Sequence, residues 1–261
     1  MSNFHVLIPA RLESQRLPNK PLADLAGLPL IVRVWQQACN SNAASVHVAT
    51  DSEQIAEAVH DAGGDVVMTQ KEHDSGTSRL AEVAAILQLD DSASVVNVQG
   101  DEPAMPPVCI DQVAELLLNQ PQAQMATLWQ PIDDPDQWQD ANVVKLVTDA
   151  KGFALYFSRA PIPHRRGKNS DCTLPDKPAR RHIGLYAYRA GALNRWNQLP
   201  ESALAEAESL EQLRALDAGW KIVCAEAAES IPPGVDTAED LESMRVHFVE
   251  LENQRHAGAS S

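Results

Sequence analysis

Ser45-Val-His-Val-Ala-Thr-Asp-Ser-Glu-Gln-Ile-Ala-Glu-Ala-Val-His-Asp-Ala-Gly-Gly-Asp-Val-Val-Met68 holds one complete strand–helix–strand unit. Ser45–Ala49 and Asp65–Met68 are short, rich in β-branched residues and bounded by turn residues, so they read as strands. Between them Glu53–Ala62 places Ile55, Ala58, Val59 and Ala62 on one side at helical spacing, and Gly63 and Gly64 supply the stop. Working outward, Phe4–Ile8 and Ser94–Val98 read as two more strands, and Leu30–Asn40 and Ser78–Leu87 as two more helices. Strands alternating with helices predict an α/β fold, a doubly wound, mostly parallel sheet covered on both faces. The second half is less regular. Val143–Thr148, Ala154–Phe157 and Ile183–Tyr188 read as strands, Glu206–Leu216 and Glu239–Glu250 as helices, the latter capped by Thr237 with Asp240 three residues on. The expected organisation is a single domain, 1–261, with an inserted β-containing region at about 125–190 and frayed residues from about Arg255 to Ser261.

The chain has 261 residues, 44% hydrophobic and 22% charged, enough for a sizeable core without disulfide staples. A net charge of −15 argues against a nucleic-acid binder or a protein held on anionic lipid. Cys39, Cys109, Cys172 and Cys224 are far apart and form no CxxC or Cys/His cluster, so neither a zinc site nor a disulfide framework is indicated. No run of about 18 apolar residues occurs, and MSNFHVLIPAR lacks the features of a signal peptide, so the expected address is the cytoplasm.

Local charge runs against this acidic background. The loop after the first strand, Pro9–Leu22, carries Arg11, Arg16 and Lys20 against Glu13 alone, on a segment bracketed by prolines. It leaves the carboxyl end of a strand, where open α/β sheets bind ligands, and its charge suits a triphosphate; it also reads as a solvated basic loop. It contains neither GxxxxGK[ST] nor GxGxxG, which excludes a Walker loop and a dehydrogenase fingerprint. In Val95-Val-Asn-Val-Gln-Gly-Asp-Glu-Pro103, Gly100 allows a turn that aims Asp101 out of the sheet end. A carboxylate there suits magnesium, with Asp236 as a second candidate; a turn-forming and a helix-capping aspartate are the plain alternatives. Ser75-Gly-Thr-Ser-Arg79 joins a helix start to an arginine, an anion-binding combination. From Pro163 to His182, Arg165, Arg166, Lys168, Lys177, Arg180 and Arg181 outnumber Asp171 and Asp176, which reads either as a lid over an anion or as a solvated loop. His182 and Tyr186 fall on one strand face, and Glu211 and Gln212 open a helical stretch.

In this order the segments resemble one family, the cytidylyltransferases that activate 3-deoxy-D-manno-octulosonate (Kdo). The resemblance spans nearly the whole chain: IPARxxSxRLPxKPL at Ile8–Leu22, VATD at Val48–Asp51, SGTxR at Ser75–Arg79, NVQGDEP at Asn97–Pro103, ALYFSRAxIP at Ala154–Pro163, HxGxYxYRA at His182–Ala190, LEQLR at Leu210–Arg214 and GVDTAEDL at Gly234–Leu241. The resemblance implies a nucleotide-diphospho-sugar transferase-like fold with a smaller dimerisation region in the second-half strands, and a homodimer. It implies that Arg11 and Lys20 bind the triphosphate of CTP, with Ala10, Ser14 and Gln99 framing the nucleotide. It places magnesium on Asp101 and Asp236, catalysis on Lys20 and these two carboxylates, and the sugar acid among Arg79, Arg159, His182, Tyr186, Glu211 and Gln212. The implied reaction joins CMP to Kdo, with pyrophosphate released, as a step toward lipopolysaccharide. Three positions depart from the pattern: Ser78 and Ala205 where acidic residues are expected, and His164 where an aromatic is expected. An amino-Kdo variant or a sialic acid as acceptor, or a non-catalytic nucleotide-binding relative, therefore stay open as alternatives.

Overall fold

The computed structural model describes residues 4–13, 16–73, 75–164 and 179–258, with side chains described through residue 250. The first half runs β1 (Phe4–Ala10), a 3-10 turn at Lys20–Leu22, a two-strand ribbon of β2 (Asp24–Leu25) and β3 (Leu28–Pro29), α1 (Leu30–Cys39), β4 (Ser45–Thr50), α2 (Glu53–Asp61), β5 (Asp65–Met68), α3 (Gly76–Ile86), β6 (Ser94–Asn97) and α4 (Pro107–Leu118). The second half adds β7 (Met125–Ile132), α5 (Pro135–Gln139), β8 (Lys145–Thr148), β9 (Ala154–Ser158), β10 (Ala179–Arg189), α6 (Ala190–Trp196), α7 (Ala203–Glu208), α8 (Gln212–Asp217), β11 (Ile222–Glu226) and α9 (Ala238–Gly258).

The main sheet has the order β11-β7-β10-β6-β1-β4-β5. β6, β1, β4 and β5 are parallel neighbours, and β10 runs antiparallel between β6 and β7. Both faces are covered, which is why central strands such as β1 and β7 are mostly apolar rather than alternating with polar residues. Val6 and Ile8 of β1 pack with α1, α2, α4 and α9, whereas Leu7 packs with α3, α6 and α8 on the other face. The expected doubly wound sheet is what forms. Of residues 125–190, β7 and β10 are members of the main sheet, while β8 hangs from β10 through Arg181 and Lys145 and β9 pairs with β8.

Three differences from the sequence reading have physical causes. The single helix expected over Glu206–Leu216 is two: Ser209 adopts a left-handed backbone (φ 50°, ψ 50°) that ends α7 and reorients the chain before α8. The break lets Leu210, 7% exposed, turn inward, a gain of buried apolar surface that offsets the strained residue. α9 continues through Gly258, so Arg255–Gly258 are helical instead of frayed, and its start is the expected box: Thr237 Oγ1 accepts from Asp240 N (3.1 Å) while Asp240 Oδ2 accepts from Thr237 N (2.8 Å). Helix α4 and strands β7 and β11 were given no element by the sequence reading.

Two glycines pull three segments into one place. Gly100 is required for room rather than for an unusual φ, because a Cβ there would lie 2.6 Å from the carbonyl oxygen of Pro9. A Cβ on Gly234 would lie 3.1 Å from the carbonyl oxygen of Asp101, which accepts from Val235 N at 2.8 Å. The exits of β1 and β6 and the approach to α9 are thereby stacked on one another, and the functional cleft opens over them.

Candidate active site

The cleft, about 900 Å³, lies at the carboxyl ends of β1 and β6. That volume is in the range of a small-molecule site. Ala10, Arg11, Lys20, Gln99, Asp101 and Asp236 line one part of it, and Arg79 with Ser75 and Gly76 another. Its centre is Lys20, placed by the 3-10 turn after a left-handed Asn19 (φ 55°). The side chain is 14% exposed, and its three N–H groups reach Asp101 Oδ2 (2.7 Å), the Val235 carbonyl (2.9 Å) and Asp236 Oδ1 (3.2 Å). Asp101 and Asp236, 135 positions apart in the chain, are thus both within reach of one nitrogen, and Arg16 pairs with the other oxygen of Asp236 at 3.1 Å. Ser14 lies outside the described residues.

Glu102, beside Asp101, is a residue the sequence reading passed over. Burial, then the Asp101 charge, pushes its carboxyl up to about 8 against the opposing pull of Arg181. Burial thus favours the protonated form of Glu102, whereas Asp101 and Asp236 are held by the Lys20 cation. Among the described residues no group of three or more His, Cys, Asp or Glu side chains is placed to hold a metal. The donor set, two convergent carboxylates facing a cleft sized for a nucleotide, fits the way magnesium is usually held, by one or two carboxylates plus substrate phosphates.

Next to the α3 residues that line the cleft lies a polar cluster shared by α3, α8 and β10. Ser75 caps α3 in a reciprocal box with Ser78. Thr77 Oγ1 donates to Glu211 Oε2 (3.0 Å) and lies 3.4 Å from Tyr188 Oη. Gln212 Nε2 and Asn97 Oδ1 are buried without a hydrogen-bond partner among the described residues, and Tyr186 Oη makes no hydrogen bond of ordinary length. Buried polar atoms left unpaired are costly and suit a ligand rich in hydroxyls. Asn97 was not singled out by the sequence reading; its place at the last position of β6, opposite Tyr186, was the available signal.

His182 and Tyr186 do meet, but not by strand spacing. At roughly 3.3 Å per residue, i and i+4 lie about 13 Å apart along a regular strand. A register shift between Ile183 and Tyr186 bends β10, and the two ring centroids are 5.3 Å apart. Phe157 packs edge-on against the other side of His182 at 5.0 Å, and Thr127 Oγ1 lies 3.3 Å from Nε2. Burial pushes the His182 imidazole down to about 3, so it is neutral at physiological pH and offers a hydrogen bond rather than a charge. The linkage has a definite sign. Below pH 6.5 the unfolded chain binds a proton that the native state refuses until about pH 3, so stability falls as pH drops through that window. Urea unfolding of a His182→Asn variant is expected to show a shallower loss between pH 6.5 and 4 than the parent; parallel profiles would refute the assignment.

Two arginines are engaged by the protein itself. Arg79, 5% exposed, donates from Nη1 to Asp51 Oδ1 (3.2 Å) while lining the cleft. Arg159 donates to the carbonyls of Glu208 (2.7 Å), Ala141 (3.0 Å) and Ser209 (3.3 Å), three of its five N–H groups. In the basic stretch, Arg180 stacks over Trp129 (4.4 Å) and Arg181 reaches Gln130 Oε1 (2.6 Å); Arg165, Arg166, Lys168 and Lys177 lie outside the described residues. Of the departures, Ser78 is taken up by the α3 cap and by His73 Nδ1 (3.0 Å), Ala205 packs beside the second core cluster, and His164 is exposed.

The family model for cytidylyltransferases matches residues 5–222. A protein of Pseudomonas syringae pv. syringae named 3-deoxy-manno-octulosonate cytidylyltransferase is 52% identical over 245 residues, 93% of this chain and 96% of the relative. One of the same name from Pseudomonas fluorescens is 53% identical over 247 residues, covering 94% and 97%. The solved structure of a CMP:2-keto-3-deoxy-manno-octonic acid synthetase complexed with CTP superimposes with a TM-score of 0.87 at 39% identity, covering 95% of this chain and 99% of that one. A 4-diphosphocytidyl-2C-methyl-D-erythritol synthase shares the fold at 12% identity, with a TM-score of 0.61.

Proposed function

This chain belongs to the cytidylyltransferase family, and from that premise we propose that it transfers CMP from CTP to Kdo, giving CMP-Kdo and pyrophosphate. The observation that carries nucleotidyl transfer is the junction of Lys20 with Asp101 and Asp236 at the floor of a nucleotide-sized cleft. The choice of Kdo is supported by relatives of that name at 52 and 53% identity over nearly the full chain.

In the reaction the anomeric hydroxyl of the sugar acid attacks the α-phosphorus in line, the bond to the bridging oxygen breaks, pyrophosphate leaves, and the hydroxyl proton passes to solvent. No covalent intermediate is required, so catalysis consists of positioning and charge stabilisation. Lys20, Arg11 and Arg16 bind the triphosphate, and Ala10 and Gln99 frame the nucleotide. Asp101 and Asp236 hold magnesium. When bound, the ion offsets phosphate charge and polarises the phosphoryl group under attack. Tyr186, His182, Gln212 and Glu211 surround the sugar acid, with Arg79 and Arg159 supplying positive charge on that side.

The chain acts as a homodimer in this reading, packing through the β8–β9 branch, where Leu155 is 62% exposed. No helix of the described residues is long and apolar enough to cross a membrane. A net charge of −15 disfavours nucleic acid, and the reading places the enzyme in the cytoplasm. Pyrophosphate release from CTP and magnesium, compared across Kdo, its amino variant, sialic acid and no sugar, tests the proposal. Release that requires Kdo is expected; preference for another acid would move the acceptor, and no release with any acid would overturn the transfer reading.

A further inference from the structure

The chain between α7 and α8 turns at the left-handed Ser209, where Leu210 N donates back to the Ala205 carbonyl (3.1 Å), and delivers Glu211 to Thr77 with Gln212 beside it in sequence. Two side chains, Glu208 and Arg159, fasten that break to the end of β9. The Glu208 carboxylate accepts from Ser158 Oγ through Oε1 (2.6 Å) and from Arg159 N through Oε2 (2.9 Å). Arg159 returns the contact, donating from Nε to the Glu208 carbonyl (2.7 Å) and from Nη2 to that of Ser209 (3.3 Å). The strand end that receives this clasp is itself held firmly. Lys145, wholly buried, donates to the carbonyls of Arg159 (2.5 Å), Val143 (2.6 Å) and Asp140 (2.8 Å). Ser158 is 2% exposed and Glu208 half-buried, so the bond between them is partly shielded from water, which strengthens it.

We propose that Glu208 is a positioning residue: it locks the α7–α8 break to the end of β9 and so fixes Glu211 and Gln212 against Thr77 and the sugar acid. This rests on the reading of that half of the cleft as the sugar site. Glu208 is not among the residues that line the cleft; it acts through the residues that follow it. Both carboxylate oxygens accept, whereas a glutamine has one accepting oxygen and would turn its amide hydrogens toward the other donor.

Steady-state kinetics of Glu208→Gln and Ser158→Ala test it, with thermal unfolding of each. Glu208→Gln is expected to raise KM for the sugar acid roughly tenfold while KM for CTP stays within about twofold. Ser158→Ala, which removes one donor and no charge, is expected to move the sugar KM in the same direction by less, and the double variant to fall short of the product of the two. An unchanged sugar KM in both single variants, or an equal rise in KM for CTP, would overturn the proposal. Parent turnover in the same assay separates the two readings: a parent active on the acid with indifferent variants refutes the positioning role alone, and a parent inactive on every acid removes both.

Discussion

Asp101→Ala is expected to lower turnover about a thousandfold at saturating magnesium, with a thermal midpoint within a few degrees of the parent. A loss of that size corresponds to about 4 kcal/mol of transition-state stabilisation, the upper end for one preorganised charged group. Asp101 reaches the cleft from the turn after β6, is 32% exposed at its side chain, and its visible partner is Lys20. Removing it leaves Lys20 its bonds to Asp236 and the Val235 carbonyl, so the loop stays anchored while half of the carboxylate pair is gone. Activity within tenfold of the parent would show that Asp101 is a turn residue and nothing more.

The second large effect is expected for Lys20→Met, which keeps the length of the side chain and removes its charge. Lys20 ties three segments that are far apart in sequence: its own turn, the end of β6 and the approach to α9. Without it, Asp101 and Asp236 lose the cation they share, Arg16 remaining on Asp236 alone, and on the proposed reading the triphosphate loses a positive charge. We expect kcat/KM for CTP to fall at least a hundredfold and, unlike Asp101→Ala, the thermal midpoint to drop by several degrees. Isothermal titration with CTP and thermal unfolding measure the two halves. A variant that loses activity with an unchanged midpoint would mean that Lys20 acts on substrate alone and does not hold the cleft together.

The positions of Lys20, Asp101 and Asp236 were legible because each follows a feature with a local signature: a proline-bracketed loop after a strand, a strand ending in glycine, and a glycine turn before a capped helix. The parallel half of the sheet was legible for a similar reason, since its strands and helices each carry their own periodicity. What depended on packing between distant segments was not. The need for glycine at 100 comes from a Pro9 carbonyl 91 residues away. The approach of His182 to Tyr186 comes from a bulge, which strand spacing cannot show. Ser209 broke a helix that reads as continuous because burying Leu210 outweighed local preference. Ser78, absent from the expected acidic pattern, proved to be part of a helix cap, so its identity bears on α3 rather than directly on the acceptor. The Glu208 clasp was invisible for the same reason: a glutamate in a helical stretch reads as solvated until its partners on β9 are known.

The central claim is that this cleft joins the α-phosphate of CTP to a sugar acid. Phosphorus NMR of the protein with CTP, Kdo and magnesium tests it most directly. The account predicts that the three triphosphate resonances give way to one phosphodiester signal and a pyrophosphate signal in equal molar amounts. Triphosphate resonances that persist unchanged while CTP is bound, or that decay to CDP and inorganic phosphate with no phosphodiester, would contradict it.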